Sequence, residues 1–412
     1  MPKLRIAIDP VEAGFAPDRL ARIDHHFQGY IDQEKLAGWH IAISRRGQLV
    51  HSSTSGHRDL ASDLPFTDDT VVRMFSMTKP ITSVAAMMLY EDGLLELKSP
   101  ISKWLPEFED TRVYRSGSFM APVTDPLVEP IRVWHLLTHT SGLTYGFHNT
   151  HVTDAIYRKS GFEWGNPPGA DLEECCALWA KMPLAFQPGT EWNYGVSTDV
   201  LGRLVEVVSG MPLDEFFRTR IFEPLGMSDT GFHVQPDRLD HFAKLYVRNP
   251  ATRTAVLAPD RLGRSGDTPP AMLGGGGGLV GTANDYLRFA HMLLNRGELD
   301  GVRLLGTRTV DYMTRNHLPG NVDLEAFGRP LFAETSFDGV GFGLGFAVVL
   351  DAAANKVLRS EGEYSWGGAA STIFWVDPAN EIVALFLTQL LPSSTYPIRS
   401  QLNQLVQQAL VD

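Results

Sequence analysis

Strand-forming runs occur near the two ends of this chain, and helical patterns fill the long interval between them. That distribution limits the possible folds more than any single motif does. Near the N-terminus, His40-Ile41-Ala42-Ile43-Ser44 and Gln48-Leu49-Val50-His51 flank Arg45-Arg46-Gly47, which reads as a β-hairpin. Near the C-terminus the apolar, β-prone runs 345–350, 371–376 and 382–387 read as three further strands. Residues 18–34 carry Leu20, Ile23, Phe27 and Ile31 on one stripe and predict a helix, as do residues 398–410. A helix over 285–296 is bounded by a capping Asn284 or Thr282 and by Gly297. The economical arrangement is of the α/β (α+β) class: one antiparallel sheet built from both chain ends, flanked by the terminal helices, with a helical lobe inserted. It implies a discontinuous α/β domain of residues 1–95 and 265–412 and a mainly helical domain of residues 96–264.

A chain of 412 residues with 43% hydrophobic content can bury a large core. Lys and Arg number 36 and Asp and Glu 48, a net charge of −12, and no basic cluster breaks this balance. Nucleic acid and anionic membrane surfaces are therefore not expected partners. No apolar run reaches the roughly 18 residues of a membrane span, and Asp9-Pro10 interrupts the short apolar start, so no export signal is read. The two cysteines, Cys175 and Cys176, are adjacent, and neighbouring residues rarely have the geometry for a disulfide; they read as buried apolar residues in a reduced, cytoplasmic protein.

The chemistry starts at Ser76-Met77-Thr78-Lys79, the one Ser-x-x-Lys in the sequence. Positions i and i+3 of a helix share a face, so the hydroxyl and the amine come within reach of each other. A serine becomes a nucleophile when a base takes its proton, and burial near a helix N-terminus favours the neutral amine that can do so. Taken alone the tetrapeptide is also what an N-cap serine and a surface lysine look like. Its context is more specific. The β-prone Val71-Val72-Arg73-Met74-Phe75 precedes it. Residues 77–91 then read as a helix, with Met77, Ile81, Val84 and Met88 at helical spacing, Pro80 in the first turn and Gly93 as the stop.

Two later segments can supply a proton route and oxyanion donors. In Trp192-Asn193-Tyr194-Gly195-Val196-Ser197, a tyrosine beside a lysine can act as base or proton shuttle; the plainer reading is a core tyrosine. In Tyr364-Ser365-Trp366-Gly367-Gly368-Ala369-Ala370-Ser371, small residues let a substrate approach the backbone; the plainer reading is a bulge or tight turn. Aromatics crowd residues 145–192, among them Tyr145, Phe147, Tyr157, Phe162, Trp164, Trp179 and Phe186, as pocket lining or as core of the helical lobe.

Ser76-x-x-Lys79, Tyr194 and Trp366-Gly367-Gly368, in that order and at these wide spacings, resemble the three motifs of the serine β-lactamase and penicillin-binding-protein superfamily. The closer resemblance is to its class C β-lactamase-like esterases, the family VIII carboxylesterases. Trp134-His135-Leu136-Leu137-Thr138-His139-Thr140-Ser141-Gly142-Leu143 and Gly275-Gly276-Gly277-Gly278-Leu279-Val280 extend the likeness, which covers about residues 15–400. The resemblance implies that Ser76 attacks an ester carbonyl to form an acyl-serine, that Lys79 and Tyr194 share the base role, and that the backbone N–H groups of Ser76 and Ala369 form the oxyanion hole. Trp366, Gly367, Gly368 and Tyr145 would contact substrate. The implied substrate is a small carboxylic ester of short to medium chain, with no cofactor and no metal, on a monomer or homodimer.

Two departures from the β-lactamase pattern bear on substrate. Val196 stands in the place of the second motif's asparagine, and Trp366 in the place of the third motif's lysine. Both changes remove polar groups suited to a charged β-lactam and favour an uncharged ester. Weak β-lactamase, amidase and acyltransferase activities remain variants of the same site, and a non-catalytic binding protein of this fold is the alternative from another class. An α/β-hydrolase is disfavoured, because Gly263-Arg264-Ser265-Gly266 misses the Gly-x-Ser-x-Gly spacing. His135 with His139, and His148 with His151, have spacings open to a metal but lack the glutamate of His-Glu-x-x-His, so they read as structural. The Gly274–Gly278 run lacks the Lys-Ser/Thr of a phosphate loop and reads as a loop passing beside the active site.

Overall fold

The computed structural model describes residues 5–263 and 266–411. The N-terminal hairpin is β1 (Gly38–Arg45) and β2 (Gln48–Asp59). Its loop is shorter than expected: Arg45 ends β1, and Arg46 and Gly47 alone turn the chain, both at positive φ as a two-residue twisted hairpin requires. Strands β3 (Leu64–Pro65), β4 (Val340–Phe342), β5 (Ala347–Val349), β6 (Tyr364–Gly368), β7 (Thr372–Asp377) and β8 (Ile382–Thr388) complete one sheet in the order β4-β5-β6-β7-β8-β1-β2-β3. Every neighbouring pair in it is antiparallel. The seam between the chain ends is the β1–β8 ladder, in which Ile43 faces Ala384 and Ile41 faces Phe386. The expected sheet built from both ends is therefore present.

Successive side chains point to opposite faces of a strand, and both faces of this sheet are covered. One face packs under α1 (Pro17–Asp32) and α5 (Ile398–Gln407), through Phe27, Trp39, Ile41, Trp375, Phe386, Leu402 and Val406. The other packs on α2 (Thr78–Glu91) and α4 (Ala283–Leu294), through Phe374, Val383, Leu385 and Leu387. This double burial is why β1, β7 and β8 read as continuous apolar runs. On α1 the expected stripe needs one correction. Tyr30 is buried and Ile31 only partly so, because the Tyr30 hydroxyl donates to Gln401 of α5 at 2.8 Å. Thr282, and not Asn284, caps α4 by accepting from the Asp285 N–H.

Three other expectations are corrected. The strand expected over 71–75 is only Val72–Arg73, paired with Val280–Gly281 outside the main sheet. The glycine-rich segment before β7 is itself strand β6. Helix α2 is not amphipathic but buried on all sides from Thr78 to Leu89, because α3 (Ser197–Ser209) covers the face turned away from the sheet. The intervening chain holds further helices and a hairpin, Arg112–Ser118 with Ala121–Pro126, that the sequence pattern did not announce. Its far junction, expected at 264/265, lies outside the described residues, as do Arg264 and Ser265 of the rejected elbow. Among the described residues no helix is long and apolar enough to cross a membrane.

Phe27 is fully buried, with its ring against Phe386, Trp39 and Tyr30. Phe27→Ala should lower unfolding free energy by about 3–5 kcal/mol. Urea denaturation of the two proteins checks this, and a loss below about 1 kcal/mol would mean that α1 is not part of the cooperative core.

Candidate active site

Ser76 lies in a 3-10 turn, Phe75–Met77, that feeds directly into α2. Phe75 carries φ +45°, a left-handed conformation that costs a bulky residue on the order of 1–3 kcal/mol. The surrounding hydrogen bonds hold the turn in that shape. Met74 N–H donates to Leu279 O at 2.9 Å, Leu279 N–H to Thr78 Oγ1 at 3.1 Å, and the Tyr286 hydroxyl to Met77 O at 2.8 Å. The result presents a partly exposed Ser76 at the end of a buried helix.

Lys79, one turn on, is 1% exposed. Its Nζ donates to Ser76 Oγ at 3.2 Å, to the Tyr145 hydroxyl at 3.0 Å and to the Gly276 carbonyl at 2.6 Å. Burial pulls its pKa from the usual 10.5 down to about 8, against the carboxylates of Asp199 and Glu334, which favour the ammonium. Gly276 O can only accept, so one N–H stays committed to it whether the amine is charged or neutral. The lone pair of the neutral amine is then free to face the Ser76 hydroxyl.

The glycine run is held tightly between α2 and α3. Thr82 Oγ1 donates to Gly275 O at 2.7 Å, and Gly276 N–H donates to Asp199 Oδ1 at 2.9 Å. A Cβ at Gly276 would overlap the Asp199 carboxylate. Asp199, at the start of α3, is itself buried, and its carboxyl is pushed up by burial, opposed by Lys79 and the Gly276 N–H. Neither its role nor that of Glu334 was read from the sequence; both reach the lysine from distant segments.

Tyr194 precedes α3 and is 1% exposed, with Lys79 Nζ 4.7 Å from its ring centroid. Its carbonyl meets His148 Nε2 at 2.7 Å. The hydroxyl lies beside Ser76 and the Trp366 indole, but no bond of good geometry closes, and the phenol oxygen is buried without a partner. Burial, with the nearby Glu334 carboxylate, raises its pKa well above 10, while Ser76, Trp366 and Arg399 act the other way. Tyr145, expected only as a substrate contact, proves to hold Lys79. Burial likewise raises its hydroxyl, although the residue as a whole stays partly accessible.

Trp366, expected to line the pocket, is instead fully buried; its indole packs edge-on against Tyr194 and Phe342 and backs the tyrosine. Gly367 and Gly368 are also buried, and the strand end runs hard against the turn, since a Cβ at Gly368 would overlap Met74 O. Ala369, partly exposed, follows in the link to β7, so the two expected oxyanion donors lie on abutting segments. Of the paired histidines, His135 accepts from Arg132 N–H at 2.9 Å and His151 caps the helix Val152–Lys159. His139 is buried beside Tyr194. Among the described residues no three His, Cys, Asp or Glu converge as a metal site would need.

Asp199→Asn removes a charge that favours the Lys79 ammonium, so the Lys79 pKa should fall further below about 8. NMR titration of the labelled lysine side chain in both proteins measures this, and an unchanged or higher value would contradict the assigned electrostatics.

Comparison with known proteins matches residues 23–408 to the model of the family described as Beta-lactamase. Protein Rv1367c of Mycobacterium tuberculosis is 36% identical over 365 residues, 88% of each chain. Esterase EstB of Burkholderia gladioli is 31% identical over 403 residues, 93% of each. The solved structure of EstCE1, described as a hydrolase with promiscuous acyltransferase activity, superposes with a TM-score of 0.80 at 28% identity, over 95% of this chain and 99% of that one.

Proposed function

Because the chain belongs to the Beta-lactamase family and is a β-lactamase-like serine hydrolase, we propose that it cleaves carboxylic esters of short to medium acyl chain through an acyl-Ser76 intermediate. The observation that carries this is the 3.2 Å contact between Ser76 Oγ and a buried Lys79 whose pKa is drawn down to about 8. A sizeable fraction of the amine is then neutral near physiological pH, which a general base requires. Ser76 Oγ attacks the ester carbonyl as Lys79 takes its proton. The N–H groups of Ser76 and Ala369 hold the oxyanion. Tyr194, protonated because its pKa is raised, passes a proton to the departing alcohol. The Lys79 ammonium then re-protonates Tyr194, whose ring centroid lies 4.7 Å from Nζ, and is neutral again. Water attacks the acyl-serine as Lys79 takes its proton, and Ser76 recovers that proton as the acid leaves.

The sequence left open which of Lys79 and Tyr194 is the base, and the opposite directions of their shifts favour Lys79. Transfer of the acyl group to a second alcohol is the second reading, favoured by the likeness to EstCE1. β-Lactams should be poor substrates. Val196 offers them no polar group, the Trp366 indole is buried, and the Asn193 amide is committed to Leu143 O at 3.0 Å.

The aromatics of residues 145–192 divide into two groups. Tyr157, Phe162, Trp179 and Phe186 are core. Tyr145, Phe147 and Trp164 form a parallel stack, with centroids 4.9 and 5.2 Å apart, leading from the Lys79 contact to a Trp164 that is 61% exposed. The stack is a suitable wall for the apolar part of an ester. The partner is a small molecule, and the buried free thiols of Cys175 and Cys176 suit a reduced, cytoplasmic setting.

Hydrolysis of p-nitrophenyl butyrate should be readily measured in the wild type and fall to background in Ser76→Ala, with Lys79→Ala down by ~100-fold or more. Its kcat/KM should rise with pH and level off above about 8, as Lys79 loses its proton. Turnover that survives in Ser76→Ala would remove the assigned nucleophile, and nitrocefin outpacing the ester would move the assignment to β-lactamase. Trp164→Ala should raise KM about 5-fold for octanoate, or about 1 kcal/mol, and leave acetate nearly unchanged; equal effects on both would dismiss the wall.

A further inference from the structure

Arg399 is the second residue of α5, and its side chain reaches into the sheet end beside the site. A cation in the first turn of a helix opposes the helix dipole, so its position there needs a compensating reason. Its Nη2 lies 3.1 Å from Gly368 O, 3.1 Å from Thr372 O and 2.5 Å from Glu334 Oε2, and its Nη1 donates to Glu334 O at 2.7 Å. Glu334 is 1% exposed at its side chain and also accepts from Ser393 Oγ at 2.9 Å. Gly368 and Thr372 are the cross-strand pair that closes β6 against β7. The three residues linking them begin with Ala369.

We propose that the Glu334-anchored guanidinium of Arg399 is a positioning clamp that fixes the Gly368–Thr372 link, and with it the Ala369 N–H, for the oxyanion formed at Ser76. This rests on the proposed acyl-serine chemistry. The clamp grips both ends of the link from below. From the other side Ser371, held at φ +67°, donates its hydroxyl to Leu390 O at 2.7 Å, and Leu390 N–H donates to Ala370 O at 3.1 Å. The clamp also accounts for Gly367: a Cβ there would occupy the space of Arg399 Nη2. A lysine in place of Arg399 could pair with Glu334 or bond one carbonyl, but a single ammonium lacks the fork that does both.

The test combines ester turnover with binding of phenylboronic acid, whose serine adduct places an oxygen where the oxyanion would sit. Arg399→Gln should lower kcat ~100-fold with KM within ~3-fold, and should weaken boronate binding by a similar factor. Arg399→Lys should recover about one tenth to one half of the wild-type rate. The double variant Arg399→Gln with Glu334→Gln should stay as slow as Arg399→Gln. A folded Arg399→Gln that keeps kcat or boronate affinity within ~3-fold overturns the clamp. So does a double variant restored to the wild-type rate, since charge balance alone would then be the role. Should Arg399→Gln not fold, Gly367→Ala displaces the same guanidinium and is expected to show the same two losses; normal values there overturn the clamp. A wild type that binds boronate at Ser76 but turns over no ester refutes the ester reading and leaves boronate affinity to decide the clamp. A wild type that does neither refutes both.

Discussion

A lysine amine taken out of water and given three oxygen partners is the interaction on which the rest of the site depends. Desolvation of Lys79 alone would be costly. It is tolerable because Ser76, Tyr145 and Gly276 offer acceptors and because Asp199 and Glu334 supply buried negative charge within range. Each of these groups comes from a different stretch of chain, so the site exists only when the stretches are assembled. The competition between burial, which expels the charge, and the two carboxylates, which retain it, leaves the amine near its point of balance. A fully apolar surrounding would make the lysine permanently neutral, and a surface position would keep it permanently charged.

The sheet and the central helix provide the rigidity this balance needs. Helix α2 is enclosed by the sheet and α3, so Lys79 cannot swing toward solvent. The strained Phe75 turn is held by bonds to Leu279, Thr78 and Tyr286, and the end of β6 presses on the Met74 carbonyl. Nucleophile and oxyanion segment therefore brace each other directly. The Glu334–Arg399 pair ties that braced region to α5 on the far side of the sheet.

What was legible in the sequence follows the range of the interactions. Ser76 and Lys79 are three residues apart across the turn that opens α2, and local geometry alone places them together. The strands β1, β7 and β8 were legible because double-sided burial makes them apolar throughout. Strand β6 was obscured because its glycines are set by Arg399 and Met74, which contact it from remote parts of the chain. The role of Tyr145 as a lysine partner, the burial of Trp366 and the carboxylates of Asp199 and Glu334 are likewise products of long-range packing. The all-round burial of α2 was hidden for the same reason: Thr82, Ser83 and Lys79 look like a solvent face until the Gly275 and Gly276 carbonyls are seen to accept from two of them.

The seam between β1 and β8 also sets an order of events during synthesis. Strand β1 ends at Arg45 and its partner begins at Ile382, so most of the chain must leave the ribosome before the two can meet. At about 10 residues per second this is a wait on the order of half a minute. Throughout it, the edge of the N-terminal hairpin that β8 will later cover, carrying Ile41 and Ile43, has no strand to pair with. Until β8 is made, that edge is open to edge-to-edge association.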